Sequence, residues 1–426
     1  MRRVAAHTLG CKVNQYDTQA MLELFERAGY QAVPFDSDAD VYLVNTCTVT
    51  GTGDQKSLKT IRRVARDHPE AAIVAAGCLA QRDAEALMRL PGVRLAIGTR
   101  RRAEVVELLE RALAENRSLS AVGELEGAAF EPLSIERHEG HTRAVMKIQE
   151  GCDHRCAYCI IPSVRGVPRS MALSSVADEA ARLADAGYRE LVLTGIHLSS
   201  YGRGQGATLL DAAAAASAPG GIWRVRLGSL EPTSITREFA RQAADNAKLC
   251  RHFHLSMQSG SDCVLARMRR GYTSGRYQQA AELLRAAMPD AAITTDVLCG
   301  FPGETDAETD ETLAFVEKIG FARIHVFPYS RRAGTAAADM PDQVPEAIKK
   351  ARASQLLSLG NKLEIRFAKG LLGTVQRVLL EEEAGGGAEG YSDQYVRVRA
   401  DGRPGELAPV RLTGLDGATA LGRVEG

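Results

Sequence analysis

Cys152, Cys156 and Cys159 stand in the run Gly151-Cys152-Asp153-His154-Arg155-Cys156-Ala157-Tyr158-Cys159, a C-x3-C-x2-C spacing just after an apolar, strand-like stretch at 144–148. Thiolates are soft ligands, and three of them this close point to a metal centre. Structural zinc is held by four ligands, typically in two pairs, and no fourth lies nearby. Bacterial ferredoxins space their cysteines differently, as C-x2-C-x2-C. Three thiolates on a four-iron cluster leave one iron open, and an open metal position can hold a substrate or cofactor. These three residues are therefore read as both catalytic and metal-ligating. Cys11, Cys47 and Cys78 show a second pattern: each follows an apolar run, at 4–9, 41–44 and 73–76. In a parallel sheet the carboxyl ends of the strands share one edge, where ligands bind, so cysteines far apart in sequence can meet there. Buried, inert cysteines are common in cores, but the repeated strand–Cys placement favours a second metal site. Cys250, Cys263 and Cys299 lack such spacing and are expected to be ordinary buried or partly buried thiols.

These cysteines must be positioned by a chain of 426 residues, long enough for two or three domains. With 45% hydrophobic and 25% charged residues it has the composition of a soluble globular protein, which excludes a disordered tail or a disulfide scaffold. Lys+Arg and Asp+Glu both number 53, so a sequence-independent nucleic-acid coat is disfavoured while a local basic face stays possible. The nine cysteines are odd in number, and the first residues carry no apolar leader, so a cytoplasmic, reducing setting without disulfides is expected. No apolar run approaches the length of a membrane span.

The fold class is α/β. Residues 1–117 alternate the three strand-like runs with helical periodicity at 16–28, 56–67, 84–90 and 103–116, the pattern of a parallel sheet covered on both faces. Residues 118–140 read as a linker. From 141 to 365, strand-like runs at 144–148, 190–193, 223–227, 252–256, 292–297 and 323–327 alternate with helices at 175–186, 209–216, 235–246, 262–269, 274–288 and 306–319. Six βα units make a partial barrel or an open curved sheet, since a full eight-unit barrel needs more chain. A helix at 345–368 leads out. Residues 366–426 carry strand-like runs at 373–380, 394–398, 405–413 and 418–424 joined by Gly-rich turns, the pattern of a small β-barrel.

The Cys152–Cys159 spacing resembles the hallmark of the radical S-adenosylmethionine (radical SAM) superfamily, whose partial (βα)6 barrel agrees with the six units. The resemblance narrows elsewhere. Leu9-Gly10-Cys11-Lys12-Val13-Asn14-Gln15-Tyr16-Asp17, Asn45-Thr46-Cys47-Thr48-Val49-Thr50 and Gly77-Cys78-Leu79-Ala80-Gln81 look like the three N-terminal blocks of the methylthiotransferase family. Cys159-Ile160-Ile161-Pro162-Ser163-Val164-Arg165-Gly166, Leu193-Thr194-Gly195-Ile196-His197, Gln258-Ser259-Gly260-Ser261-Asp262 and Gly300-Phe301-Pro302-Gly303-Glu304-Thr305 are similar to its central blocks, and the last domain is similar to its TRAM barrel. The resemblance covers essentially the whole chain. It implies two 4Fe-4S clusters and S-adenosylmethionine: Cys152, Cys156 and Cys159 for SAM cleavage, and Cys11, Cys47 and Cys78 for an auxiliary cluster that carries the sulfur to be inserted. One SAM would methylate that sulfur, and a second would supply the radical that removes an aromatic hydrogen.

In this family the target is carbon 2 of a modified adenosine beside the anticodon. Such a hydrogen is neither acidic nor next to a leaving group, so acid–base chemistry offers no easy route. The blocks most resemble the branch acting on threonylcarbamoyladenosine at tRNA position 37, the alternatives being the isopentenyladenosine and ribosomal-protein branches. The implied partners are the tRNA anticodon stem-loop and an electron donor such as flavodoxin or ferredoxin, with no indication of the sulfur source. A non-catalytic iron–sulfur carrier or RNA-binding protein is the reading of another class. Electron-transfer clusters are usually fully ligated by protein, and the open-iron spacing argues against a carrier.

Five further residues are candidate SAM contacts: Tyr158 by resemblance, Gly195 for the close approach its missing Cβ permits, and Glu231, Gln258 and Asp296 near strand ends. His197, His252, His254 and His325 are read as structural. For phosphate, the candidates are Arg100-Arg101-Arg102, Arg267 with Arg269-Arg270, and Arg331-Arg332. From Arg366 onward eight basic residues face nine acidic ones, fewer cations than a tRNA-gripping barrel would be expected to carry.

Overall fold

Val41–Thr46 and Ala72–Gly77 are buried along their whole length, which is why they read as unbroken apolar runs rather than as an alternation. They are the central strands of a six-stranded parallel sheet in the computed structural model, which describes residues 1–127, 129–138 and 142–425. The strand order is Gln31–Val33, Arg3–Thr8, Val41–Thr46, Ala72–Gly77, Val93–Ile97, Leu119–Ala121. Side chains leave the strands with period two. Val41, Leu43 and Val74 join a core with Phe25 and Leu109 on one face, while Tyr42, Val44 and Ile73 join Ile61, Val64 and Leu87 on the other. A slip of one residue would exchange the two faces, so burial on both sides pins the register. That register aligns Thr8 with Asn45 and Thr46 with Gly77. The carboxyl ends of three adjacent strands therefore lie side by side.

Three strands of this sheet were not evident in the sequence: Gln31–Val33, Val93–Ile97 and Leu119–Ala121. Two are only three residues long, too short to show a period, and the third follows a Pro-Gly turn directly. Leu119–Ala121 falls in the stretch read as a linker. Beyond it Leu133 and Ile135 are buried, Tyr16 donates a 2.8 Å hydrogen bond to the Leu133 carbonyl, and the Glu136 amide donates to Glu23 at 2.9 Å. Positions 128 and 139–141, around the expected linker and its end, lie outside the described residues.

All six expected strands of the central region are present, as Arg143–Glu150, Glu190–Gly195, Arg224–Leu227, His252–His254, Ala292–Cys299 and Arg323–Pro328, alternating with helices. The last three pair in parallel, and Val225 and Leu230 bridge in parallel to Leu249 and Leu255. The outgoing helix is Glu346–Gly370. The C-terminal strands close into a five-stranded barrel in the order Val375–Ala384, Gly387–Ser392, Arg397–Ala400, Thr419–Val424, Leu407–Asp416. Gly387–Ser392 is a strand the sequence did not reveal, because its two interior glycine and alanine positions leave no hydrophobic alternation. Gly390 has no room for a Cβ against the Leu379 backbone.

The chain packs as two units. One comprises Met1–Gly187, Leu193–Ala215 and Ser330–Ala338, the other Tyr188–Val192, Ala216–Tyr329 and Asp339–Gly426. No helix among the described residues is long and apolar enough to cross a membrane.

Candidate metal centre

Strand register delivers the first three cysteines. Cys11 is the N-cap of helix Lys12–Arg27, three residues past the end of Arg3–Thr8. Cys47 follows Val41–Thr46 immediately, and Cys78 opens the short helix Cys78–Arg82 after Ala72–Gly77. Gly10 sits at φ +105°, and a Cβ there would meet the Cys47 Cβ at 2.9 Å and its Sγ at 3.0 Å. Only glycine fits the left-handed backbone and the contact together. The three thiols share one electrostatic site. Burial pushes the Cys78 thiol up to about 11, with Arg165 opposing and the charges of Cys11 and Cys47 adding to the rise. Burial also raises Cys47, and Cys11 adds to it. A three-thiol donor set at one sheet edge fits an iron–sulfur cluster.

The second set lies in the loop between strand Arg143–Glu150 and helix Ile161–Arg165. Gly151, at φ +78°, has its missing side chain's place filled by the Val167 carbonyl. The Cys152 amide donates to the Gly166 carbonyl at 2.8 Å and the Cys159 amide to the Cys156 carbonyl at 3.0 Å, so the loop turns back on itself. The His154 amide points at the Cys152 sulfur, 3.4 Å away. All three thiols are half-buried, as is Tyr158. One tetrahedral ion would draw its thiolates to within roughly 4 Å of one another. Among the described residues, the three metal-capable atoms found within 4.8 Å of one another are those of Asp153, His154 and His197 instead.

Behind both sets lies a buried ion network that the sequence did not announce. Arg165 is fully buried; its Nε donates to the Cys78 sulfur at 3.2 Å, and its Nη1 donates to Glu150 at 2.8 Å and to Asp17 at 3.2 Å. Its Nη2 reaches Asn14. Arg102 binds Asp17, Glu131 (2.8 Å) and Glu150 (3.3 Å), while Lys147 binds Asp17 and Glu150 (3.2 Å). Three cations thus face three carboxylates. Burial alone would protonate Glu150, but Arg165, Lys147 and Arg102 hold its carboxyl well below the usual range. Breaking a buried pair on one side leaves an uncompensated charge. The network ties the first cysteine block (Asn14, Asp17) and Cys78 to the two residues, Glu150 and Arg165, that flank the second cysteine loop.

The remaining candidates are placed as follows. Gly195 does lack room for a side chain, but the atoms it would meet are those of Gln149, at 2.7 and 2.8 Å. Glu231, Gln258 and Asp296 belong to the other unit. Glu231 is engaged by Arg270 at 2.5 Å and Asp296 by His254 at 3.3 Å. Gln258 is half-buried and left-handed, at φ +68°, unusual for a non-glycine residue. His252 and His254 both face the Thr294 hydroxyl at 3.0 Å, in keeping with structural roles. Cys250 and Cys299 are buried, while Cys263 is exposed, because it faces out from helix Asp262–Arg267. The arginine runs need correcting. Arg102 and Arg332 are 2% and 4% exposed, and Arg332 binds Asp54 and Thr48. Arg270 and Arg267 are held by Glu231 and Glu308, and Arg101 by Glu104. Adjacent arginines in sequence point in different directions, so a run of three did not make a patch.

A parallel sheet with cysteines at its carboxyl edge, joined to a (βα)6 region with a C-x3-C-x2-C loop, defines a radical SAM protein with an added N-terminal domain. Residues 3–98 match the family described as uncharacterized protein family UPF0004, and residues 146–316 match the radical SAM superfamily. The chain is 41% identical over 408 residues to a Bacillus subtilis protein named threonylcarbamoyladenosine tRNA methylthiotransferase MtaB, covering 93% of this chain and 90% of that one. It is 36% identical to the Thermotoga maritima protein of the same name, over 97% of this chain and 95% of the relative. A Carboxydothermus hydrogenoformans tRNA-2-methylthio-N(6)-dimethylallyladenosine synthase is 34% identical over 88% of this chain and 87% of its own. Among solved structures, the radical SAM methyltransferase TsrM from Kitasatospora setae, with cobalamin and a [4Fe-4S] cluster bound, shares the fold at a TM-score of 0.61 and 15% identity, covering 91% of this chain and 81% of that chain. The chain belongs to the MtaB-type radical SAM methylthiotransferases. It is an enzyme family that uses S-adenosylmethionine and a 4Fe-4S cluster.

Proposed function

We propose that the protein replaces the carbon-2 hydrogen of N6-threonylcarbamoyladenosine at tRNA position 37 with a methylthio group, in the cytoplasm, using a second 4Fe-4S cluster on Cys11, Cys47 and Cys78. The reading is carried by the convergence of three cysteines, from three strand ends, on one sheet edge, in a chain akin to MtaB over nearly its full length. When bound, the clusters and S-adenosylmethionine supply the sulfur, the methyl group and the radical chemistry; the protein supplies position and insulation. Cys152, Cys156 and Cys159 hold the SAM-binding cluster, and the back-turned loop leaves these residues half-buried. Tyr158, Gly195, Glu231, Gln258 and Asp296 are the proposed SAM contacts. The left-handed backbone of Gln258 supports its assignment, since such outliers cluster at ligand sites. Arg165 compensates charge at Cys78. A low-potential donor such as flavodoxin or ferredoxin is the proposed electron source.

Nucleoside mass spectrometry of tRNA from a deletion strain tests the reading. Loss of the methylthio group from threonylcarbamoyladenosine is expected; loss from isopentenyladenosine, or an unchanged profile, would overturn it. Anaerobic reconstitution should give about eight irons per chain. Replacing Cys11, Cys47 and Cys78 by alanine should leave about four irons and intact SAM cleavage, whereas replacing Cys152, Cys156 and Cys159 should leave about four and abolish it.

A further inference from the structure

If the substrate is a tRNA, its phosphates need cations that are free to receive them, and most arginines of this protein are already committed. Four of the six barrel arginines are paired, Arg377 with Asp393, Arg397 with Glu389, Arg399 with Glu389 and Asp416, and Arg411 with Glu425, while Arg403 and Arg423 stand apart from one another in a turn and on a strand. In the arginine runs, Arg101, Arg102, Arg267, Arg270 and Arg332 are held by carboxylates, and Arg269 and Arg331 are scattered exposed residues. Helix Gly51–Asp67 differs. Between its two carboxylates, Asp54 and Asp67, it carries Lys56, Lys59, Arg62, Arg63 and Arg66 and no acidic residue. All five are exposed. Ser57, Ile61 and Val64 are its buried residues, so at 3.6 residues per turn the cations occupy the opposite face. Lys56, Lys59 and Arg62 make no ion pair among the described residues. Arg63 lies over the Phe35 ring at 5.7 Å and makes only a long, exposed contact to Asp36 at 3.9 Å, and Arg66 pairs with its neighbour Asp67. Lys59, Arg62, Arg63 and Arg66 also line an open groove of about 330 Å³ with Gln55 and Leu58.

Position adds to charge. The helix begins four residues after Cys47 and is capped by the Thr50 side chain. With a rise of about 1.5 Å per residue, Lys56 to Arg66 spans roughly 15 Å along an axis that leads away from the cysteine edge. A nucleotide reacting at that edge has its neighbouring backbone at this range of distances. We infer that the exposed face of helix Gly51–Asp67 is a docking surface for the phosphate backbone of the substrate tRNA. This inference rests on the tRNA reading above. The face binds without reading sequence, since phosphate contacts position a nucleic acid but do not specify it.

The test is tRNA affinity of the reconstituted, full-length protein as a function of salt. The variants are Lys59→Glu/Arg62→Glu/Arg66→Glu and, as a matched control, Lys362→Glu/Arg366→Glu/Lys369→Glu on helix Glu346–Gly370. The helix variant is expected to bind at least about tenfold more weakly and to lose about two to three from the slope of log affinity against log salt. Its iron content and tRNA-independent SAM cleavage should match wild type, which shows that it is folded. Affinity and slope unchanged in that variant, or lost only in the control, would overturn the inference while leaving the tRNA reading in place. Failure of the wild-type protein to bind tRNA would overturn the reading itself.

Discussion

Arg165 concentrates the residue-scale argument. It lies in a sequence block that already suggested a family, yet nothing in the block says that its guanidinium is fully buried between a cysteine sulfur, two carboxylates and an asparagine. A buried ion network of this kind gives little net stability, but removing one member is costly, because the partners left behind stay desolvated. Arg165→Met should therefore destabilise by about 3–5 kcal/mol, seen as a lowered unfolding midpoint. Lys147→Met should do the same. Because both cations face Asp17 and Glu150, the double variant should lose less than the sum of the two. Additive losses would show that the network is not coupled.

At the scale of elements, helix Leu173–Asp185 carries a carboxyl buried against a tyrosine hydroxyl. Glu179 is buried and accepts a 2.8 Å hydrogen bond from the Tyr16 hydroxyl. Burial pushes its carboxyl up to about 7. In the unfolded chain it returns to the ordinary glutamate range near 4.5, so the folded state holds the proton more tightly. The stability this contributes is complete below about pH 4.5 and is lost as the pH rises through about 7. Glu179→Gln keeps the hydrogen-bond acceptor and removes the titration. Its unfolding midpoint should gain on wild type between pH 5 and pH 8; an equal difference at both would sink the assignment. Element register explains the cysteine convergence in the same way. Cys47 and Cys78 are neighbours because Thr46 is opposite Gly77, and that alignment is held by two fully buried strands.

At the scale of the molecule, the C-terminal barrel is fastened within its own unit rather than tethered. Arg224 and Arg226 are buried, both bind Glu190, and they donate to the carbonyls of Tyr391, Ser392 and Asp393 and to the Asp393 carboxylate. The Arg226 guanidinium also lies 4.8 Å from the Tyr395 ring centroid. Arg226→Met should speed amide exchange across residues 387–400 while leaving iron content unchanged. Exchange as slow as in wild type would mean that the hydrophobic core around Val398 and Val410 holds the barrel without the arginine.

Much of this architecture follows from patterns that are local in the chain. Apolar runs separated by helical periodicity define the α/β class and all six central strands, since burial on both sheet faces demands them. The two cysteine sets follow as well, one from tight spacing and one from repeated placement after strands. Charge did not follow. Whether Arg102 or Arg332 meets water, and whether Lys59 and Arg62 do, depends on which face of which element turns inward and on partners 29 to 278 residues away. Burial and pairing of an ionisable group are decided by long-range packing. Only the tertiary structure could show that Arg102, Arg267, Arg270 and Arg332 are spent on carboxylates, and that five exposed cations share one face of the helix that starts beside Cys47.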